Sequence, residues 1–143
     1  MFATDRSQKI GASWPINKEE AVKALKGMAP DFAADQLTGS GKLLRPVTVN
    51  GMECLEMQFT LSVKQQTAST PPKGMKGVGS SFQMTSSDTY PADFSTGPVR
   101  RMTRVEMQGQ FQGVAGTQQE DLAIEFRSTE TTEEKVKYLS GNN

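Results

Sequence analysis

Basic residues at two places in this chain have the spacing to hold a negatively charged ligand. The glycine-rich segment 73–79 combines two ammonium groups with exposed backbone N–H groups, which together can bind a phosphate or a carboxylate. Farther along, Arg100 and Arg104 share one face of a predicted strand, while Arg101 points to the opposite face. A simply flexible loop would show the same composition. The spacing predicts a candidate anion-binding site at Lys73, Lys76, Arg100 and Arg104.

The complete lack of histidine excludes most familiar catalytic arrangements. Without it the chain cannot form a Ser-His-Asp or Cys-His nucleophile pair, a histidine-bearing zinc site or a histidine pH switch. The single cysteine, Cys54, rules out an intrachain disulfide and fits an ordinary position in a sheet. We therefore predict no catalytic residue, no metal site and no cofactor, and we lean away from an enzyme.

Two further motifs carry weaker signals. Residues 39–42 read GSGK, like the end of a phosphate-binding P-loop, but Gln36 stands where that motif needs glycine and Leu43 where it needs serine or threonine. We interpret this stretch as a break between elements. Asp88 and Asp93 share a predicted loop with Tyr90 and suit either a small acid–base or cation site or a turn.

The stretch from Met52 to Val63 is the most strongly patterned of the chain. Apolar residues recur there at every second position, which is typical of a strand with one face on a core. It follows Asn50-Gly51, a dipeptide that favours a two-residue hairpin with the preceding strand, Lys42–Val49. Pro46 cannot donate a ladder hydrogen bond, so that preceding strand is predicted at an edge. The hairpin register conflicts with the apolar row, and we expect a bulge near Cys54 or a sheet covered on both faces.

Helices are predicted near the start and at the end of the chain. Asn17 is a good N-cap for a helix over residues 17–28, with an apolar stripe and acidic residues in its first turn. A second short helix is possible over 31–37. The spacing of Thr131 and Glu134 resembles a capping box and predicts a short C-terminal helix.

The second half of the chain alternates between strands and breaks. Residues 64–81 are rich in Gln, Thr, Ser, Pro and Gly and predict a long flexible loop or lid. Strands follow around Phe82, over 99–113 and over 122–127. Gly109 falls on the apolar row of its strand, which indicates a bend or a close neighbour there.

This order of elements predicts an α+β fold. We expect one domain over residues 1–143, with an irregular arm over 1–16 and the N-terminal helix packed on a curved antiparallel sheet of four or five strands. A β-sandwich or barrel with an attached helix is the alternative. No apolar run approaches the roughly 18–20 residues that span a bilayer, and no signal peptide is visible, so the compartment stays open.

Charge is unevenly distributed although the chain as a whole is neutral. Residues 64–104 carry six basic and two acidic side chains, whereas residues 105–143 carry three basic and seven acidic ones. Such complementary regions can steer neighbouring subunits together. Nucleic-acid binding favours a domain with net positive charge and exposed aromatic residues, and this composition does not show that combination.

These observations favour a non-catalytic protein–protein interaction or assembly subunit of a larger complex or particle. Its partners would be other protein subunits, in a homo- or hetero-oligomer. The predicted interaction surface consists of Gln108, Gln110, Gln112 and Arg101. A small-ligand-binding domain with a pocket between sheet and helix, including a histidine-independent enzyme, is the first alternative. Anion or nucleic-acid binding through the basic loops is the second.

Overall fold

A computed structural model describes residues 8–26, 32–65, 73–94, 96–115 and 120–135. The described strands form one antiparallel sheet in which each strand pairs with the next along the chain. Between the first two strands, the described residues form one α-helix and one turn of 3-10 helix, Ala34–Gln36. The elements are β1 (Ser13–Pro15), α1 (Lys18–Leu25), β2 (Leu37–Val49), β3 (Met52–Gln65), β4 (Met75–Pro91), β5 (Arg100–Ala115) and β6 (Glu120–Lys135).

The predicted α+β fold is therefore wrong. Of the described residues, 71% are in strands and 10% in helices, and they form six strands in one sheet and not four or five strands supporting several helices. The described residues do not form the alternative sandwich or barrel either, because β1 and β6 are the opposite edges of their one sheet. Except for β1, each strand has 13 to 17 residues. Pairing over this length extends into segments whose local sequence favours turns.

Two predicted helices are replaced by other structure. Residues 34–36 form only a 3-10 turn, and Leu37 already begins β2, so the helix over 31–37 is not formed. At the other end, residues 131–135 belong to β6 and not to a C-terminal helix, while residues 136–143 lie outside the described part. Thr131 faces Arg104 on β5 there, and pairing along the sheet prevails over the local capping signal.

The N-terminal helix is present where the sequence predicts its start. The Asn17 side chain accepts hydrogen bonds from the backbone N–H groups of Glu19 and Glu20, which satisfies two donors at the helix end. Both glutamates also lie at the positive end of the helix dipole. The helix buries Ala21 and Leu25 against the sheet, and the predicted residues 27 and 28 lie outside the described part.

The predicted hairpin between β2 and β3 is confirmed. Val49 faces Met52, and both turn residues have positive φ, 50° at Asn50 and 79° at Gly51. That combination is the turn type whose twist matches paired strands. The conflict of register is resolved by a bulge on β2 between Leu43 and Arg45, rather than at Cys54.

Alternation of side chains gives the sheet an apolar face and a polar face. The buried row of β3 occupies the apolar face, as predicted, and α1 packs onto this row and its neighbours. A second cluster surrounds the indole of Trp14, which meets the Phe59 ring edge-on at 6.4 Å between centroids. The buried residues of the two clusters are Ile16, Ala21, Leu25, Leu37, Leu61, Val63, Phe82 and Met84 in the first, and Trp14, Leu43, Met57 and Phe59 in the second.

The GSGK stretch, interpreted from sequence as a break, lies inside β2. Gly39 and Gly41 face the apolar side, and a Cβ atom at either would lie within 3.0 Å of a covering side chain, Ile16 or Trp14 respectively. These glycines allow the segment before α1 to lie directly on the sheet. A P-loop would instead wrap a phosphate between a strand and a helix, so the motif is structural here.

Other predicted breaks are also shorter than the sequence indicates. Within the predicted loop over 64–81, β3 continues to Gln65 and β4 begins at Met75, while residues 66–72 lie outside the described part. Pro46 lies beyond the three residues of β2 that β1 covers. That part of β2 is an edge of the described sheet, as the proline predicts.

Candidate functional site

The structure does not bring the predicted anion-binding residues together. On β4, Lys76 faces Gln112, whereas Arg100 faces Thr89 near the opposite end of the sheet. Gln112 and Arg100 are twelve residues apart along β5, which corresponds to about 40 Å at 3.3 Å per residue. Arg104 lies between the two ends, and Lys73 precedes β4 in the hairpin turn. No single small anion can bridge these four side chains.

The two arginines of this set already contact carboxylates. Arg100 Nε lies 3.0 Å from Glu133 Oε1 across the β5–β6 pair, and Arg104 forms an ion pair with Glu106 on its own strand. All four side chains are at least one-third exposed. Exposed pairs of this kind contribute about 0–1 kcal/mol each. A phosphate would have to displace these carboxylates.

The predicted interaction surface divides between the two faces of the sheet. Gln108, Gln110 and Gln112 lie together on the polar face, where they face Arg127, Glu125 and Ala123 of β6. Arg101 lies on the apolar face, because it is an odd number of residues away along β5. The three amides thus share a surface that does not include Arg101.

A shallow groove runs across the polar face at the middle of β3, β4 and β5. Its volume is about 440 Å³. Amide, hydroxyl and charged groups line it, with one thioether, and they offer hydrogen bonds to a polar ligand or to a protein surface. The lining residues are Gln58, Gln83, Thr85, Ser87, Met102, Arg104 and Glu106.

The most highly organised polar group lies on the apolar face and centres on Asp88. Asp88 is 1% exposed, and its carboxylate accepts hydrogen bonds from Arg101, with Nη2 at 2.8 Å from Oδ2 and Nε at 3.1 and 3.2 Å from the two oxygens. Ser86 Oγ donates to Oδ1, and the Tyr90 hydroxyl donates to Oδ2 at 3.2 Å. Asp88 and Arg101 face each other across β4 and β5, so the pairing register itself creates this network.

This network has the features of a structural ion pair. Burial is the main cause that raises the pKa of Tyr90, and the negative charge of Asp88 adds to the rise. The hydrogen bonds to Asp88 raise the pKa of Arg101. Both shifts of pKa favour a neutral Tyr90 phenol and a charged Arg101 guanidinium at neutral pH. Asp93, which the sequence analysis grouped with Asp88 and Tyr90, lies exposed in the turn after β4.

Tyr90 is expected to resist ionisation in the folded protein. Tyr90 and Tyr138 are the two tyrosines of the chain, so the Y138F variant leaves the Tyr90 phenol to be followed alone by its ultraviolet absorbance. Its midpoint should lie above the ordinary pKa of 10.0 in the folded state and return to that value in denaturant.

Because the native pKa is the higher one, this phenol's contribution to stability is full below pH 10.0 and is lost as the pH rises through the native value. D88N should bring the midpoint back toward the ordinary value, since it removes the negative charge. A folded-state midpoint at or below the denatured one would contradict the assignment.

An apolar row near the other end of the sheet was not identified as a site from the sequence. Leu122, Ile124 and Phe126 of β6 lie on the apolar face but are 40%, 38% and 38% exposed. The Phe126 ring stacks on Phe111 at 5.6 Å and lies over Gly109, where a Cβ atom would collide with it. The close neighbour predicted at Gly109 is thus confirmed. We name Leu122, Ile124 and Phe126 the β6 apolar row.

Other kinds of site receive no support from the described residues. No group of three or more Cys, Asp or Glu side chains among them is placed to hold a metal ion. Cys54 is a free, buried thiol. No helix in the described part of the chain is long and apolar enough to cross a membrane.

Comparison of the chain with protein-family models, with curated proteins and with solved structures gave no match.

Proposed function

We propose that this protein is a non-catalytic assembly subunit that binds a further protein chain through the β6 apolar row. The single observation that carries the proposal is the exposure of this row on the face that elsewhere forms the core. Contiguous exposed apolar side chains surrounded by polar ones mark interaction surfaces in folded proteins.

Packing explains why the β6 apolar row needs a partner. The helix α1 and the segment before it cover β2, β3 and β4, and Val105 and Met107 of β5 are packed against the same cluster. Among the described residues, no side chain of β6, the next strand, belongs to either buried cluster. Covering three large apolar side chains that are now about 40% exposed would contribute favourable free energy at roughly 25 cal/mol per Å² of apolar surface.

Charge supports association with a defined orientation. Charged side chains alternate with the β6 apolar row along the strand and lie on its opposite face, among them Asp121 and Glu125. Charges beside an apolar row exclude unsuitable partners and set the register of suitable ones.

The proposal is tested by measuring association of the purified chain over a wide range of concentrations by sedimentation velocity. The double variant L122S/I124S should weaken association, because it removes most of the β6 apolar row. A123S, on the intervening position of the same strand but the opposite face, is the matched control and should associate like the wild type. Association that is the same in all three proteins, or a wild type that stays monomeric throughout, would contradict the proposal.

A further inference from the structure

We infer that the partner is a second copy of this chain, paired antiparallel along the first half of β6 about a two-fold axis at Ile124. The two six-stranded sheets would then continue into one. This inference rests on the proposed function and names the partner and the register that the β6 apolar row selects.

β6 has the geometry required for strand addition. It pairs with β5 along its full length, and no described strand lies on its other side. In such an edge strand, alternate N–H and C=O groups point away from the sheet and can pair with another chain. All β6 side chains that the structure describes are exposed, so none blocks the approach of a second strand.

The sequence of β6 is self-complementary about Ile124. In this register Leu122 of one copy faces Phe126 of the other, and the two Ile124 side chains face each other on the apolar face. On the opposite face Asp121 meets Arg127 of the second copy. Side chains directly opposite in an antiparallel pair have Cβ atoms about 4.5–5.5 Å apart. Because the contact is two-fold symmetric, every unlike pair occurs twice.

Other registers match the strand less well. Centring the pair on Glu125, Arg127 or Glu130 places that charged side chain opposite its own copy. Centring it on Ser128 gives an attractive contact between Asp121 and Lys135. It also places the β6 apolar row opposite polar and acidic side chains, namely Glu134, Thr132 and Glu130. Centring it on Phe126 sets the two Phe126 rings opposite each other and Glu125 opposite Arg127, but it leaves Ile124 opposite Ser128 and Leu122 opposite Glu130. Only the register at Ile124 sets all three residues of the β6 apolar row against apolar side chains and also sets an acid against a base.

The second half of β6 and the opposite edge of the sheet both oppose further pairing, which favours a closed dimer over a growing fibre. The second half of β6 carries Glu130, Glu133 and Glu134, and acidic side chains on an edge oppose further pairing. On the other edge Pro46 lacks the N–H group that a ladder needs. The paired segment therefore ends near Ser128, which faces Glu120 of the second copy in this register.

Charge reversal provides the first test. D121R and R127D each place like charges at two contacts, and each should raise the dimer dissociation constant by about tenfold or more. An equimolar mixture of the two variants should dimerise again, because each then supplies the charge that the other needs. Neither side chain takes part in an ion pair of the described structure, so the fold should be retained.

Cysteine cross-linking measures the register directly. The native Cys54 is buried, so a disulfide formed on mild oxidation reports the introduced thiol. I124C should give a covalent dimer, and S128C should not, since its two copies would lie about 26 Å apart along the strands. T129C, on the opposite face, is a further control that should stay monomeric under oxidation.

The outcomes separate this inference from the function on which it rests. A dimer that cross-links through S128C and not I124C, or that ignores both charge reversals, overturns this pairing while association itself stands. A wild type that is monomeric at every concentration overturns both. A monomeric I124C variant whose introduced thiol is shielded from labelling shows that the same chain covers the edge, and it also overturns the pairing.

Discussion

Replacing Arg101 by methionine is expected to lower the free energy of unfolding by about 3 kcal/mol at neutral pH. Arg101 supplies three of the hydrogen bonds that hold the Asp88 carboxylate, which is 1% exposed between β3 and β5. Methionine keeps much of the side-chain volume but leaves that negative charge buried without its cation. Chemical denaturation of the wild type and R101M measures the difference.

The adjacent residue gives a matched control for this prediction. Arg100 also contacts a carboxylate, but it lies on the polar face and its side chain is 51% exposed, so R100M should cost no more than about 1 kcal/mol. Replacing both members of this pair in D88N/R101M should recover part of the loss, because the buried carboxylate is then removed together with its cation. Equal losses in R101M and R100M would show that the Asp88 network does not hold the sheet.

Part of the fold could be predicted because some segments carry signals that tertiary contacts reinforce. The period-two row of β3 and the Asn50-Gly51 turn determine one hairpin, and Asn17 fixes the start of α1. In each case the local preference and the packing agree. The proline of β2 likewise marks a part of the sheet that has no neighbour on one side.

The full length of β2, β4 and β6 could not be predicted, because the local signals near their ends oppose their place in the sheet. Gly39 and Gly41 weaken a strand by propensity, yet they are required where Ile16 and Trp14 lie on it. Likewise, the glycines around residue 77 indicate a loop, although β4 passes through them with a bulge between Gly77 and Gly79. Only the register of neighbouring strands shows that these positions are paired.

The sites were predictable to a smaller extent. Asp88 continues the alternating row of Phe82 and Met84, so extending that period would have placed a carboxylate on the apolar face. Its partner Arg101 depends on the β4–β5 register, which the sequence does not reveal. The β6 apolar row was visible as alternation, but its exposure depends on how far α1 reaches across the sheet.

Introducing a methyl group at Gly41 is expected to cost about 1–3 kcal/mol of unfolding free energy. A Cβ atom there would lie 2.5 Å from Cε2 of Trp14, so the indole must move off the sheet. Trp14 lies over Gly41 of β2 and meets the Phe59 ring edge-on, so it cannot shift without opening the second core cluster. Because it is the single tryptophan, its emission in G41A should move to longer wavelength as the ring gains solvent.

Two comparisons show whether the collision with Trp14 is the cause. G79A introduces the same methyl group where nothing lies within 4 Å of the new atom, and it should be neutral or slightly stabilising. In a W14A background the cost of G41A should largely disappear, since the colliding ring is absent and neighbouring substitutions are then not additive. If G41A costs the same with and without Trp14, backbone conformation and not the indole makes glycine necessary at this position.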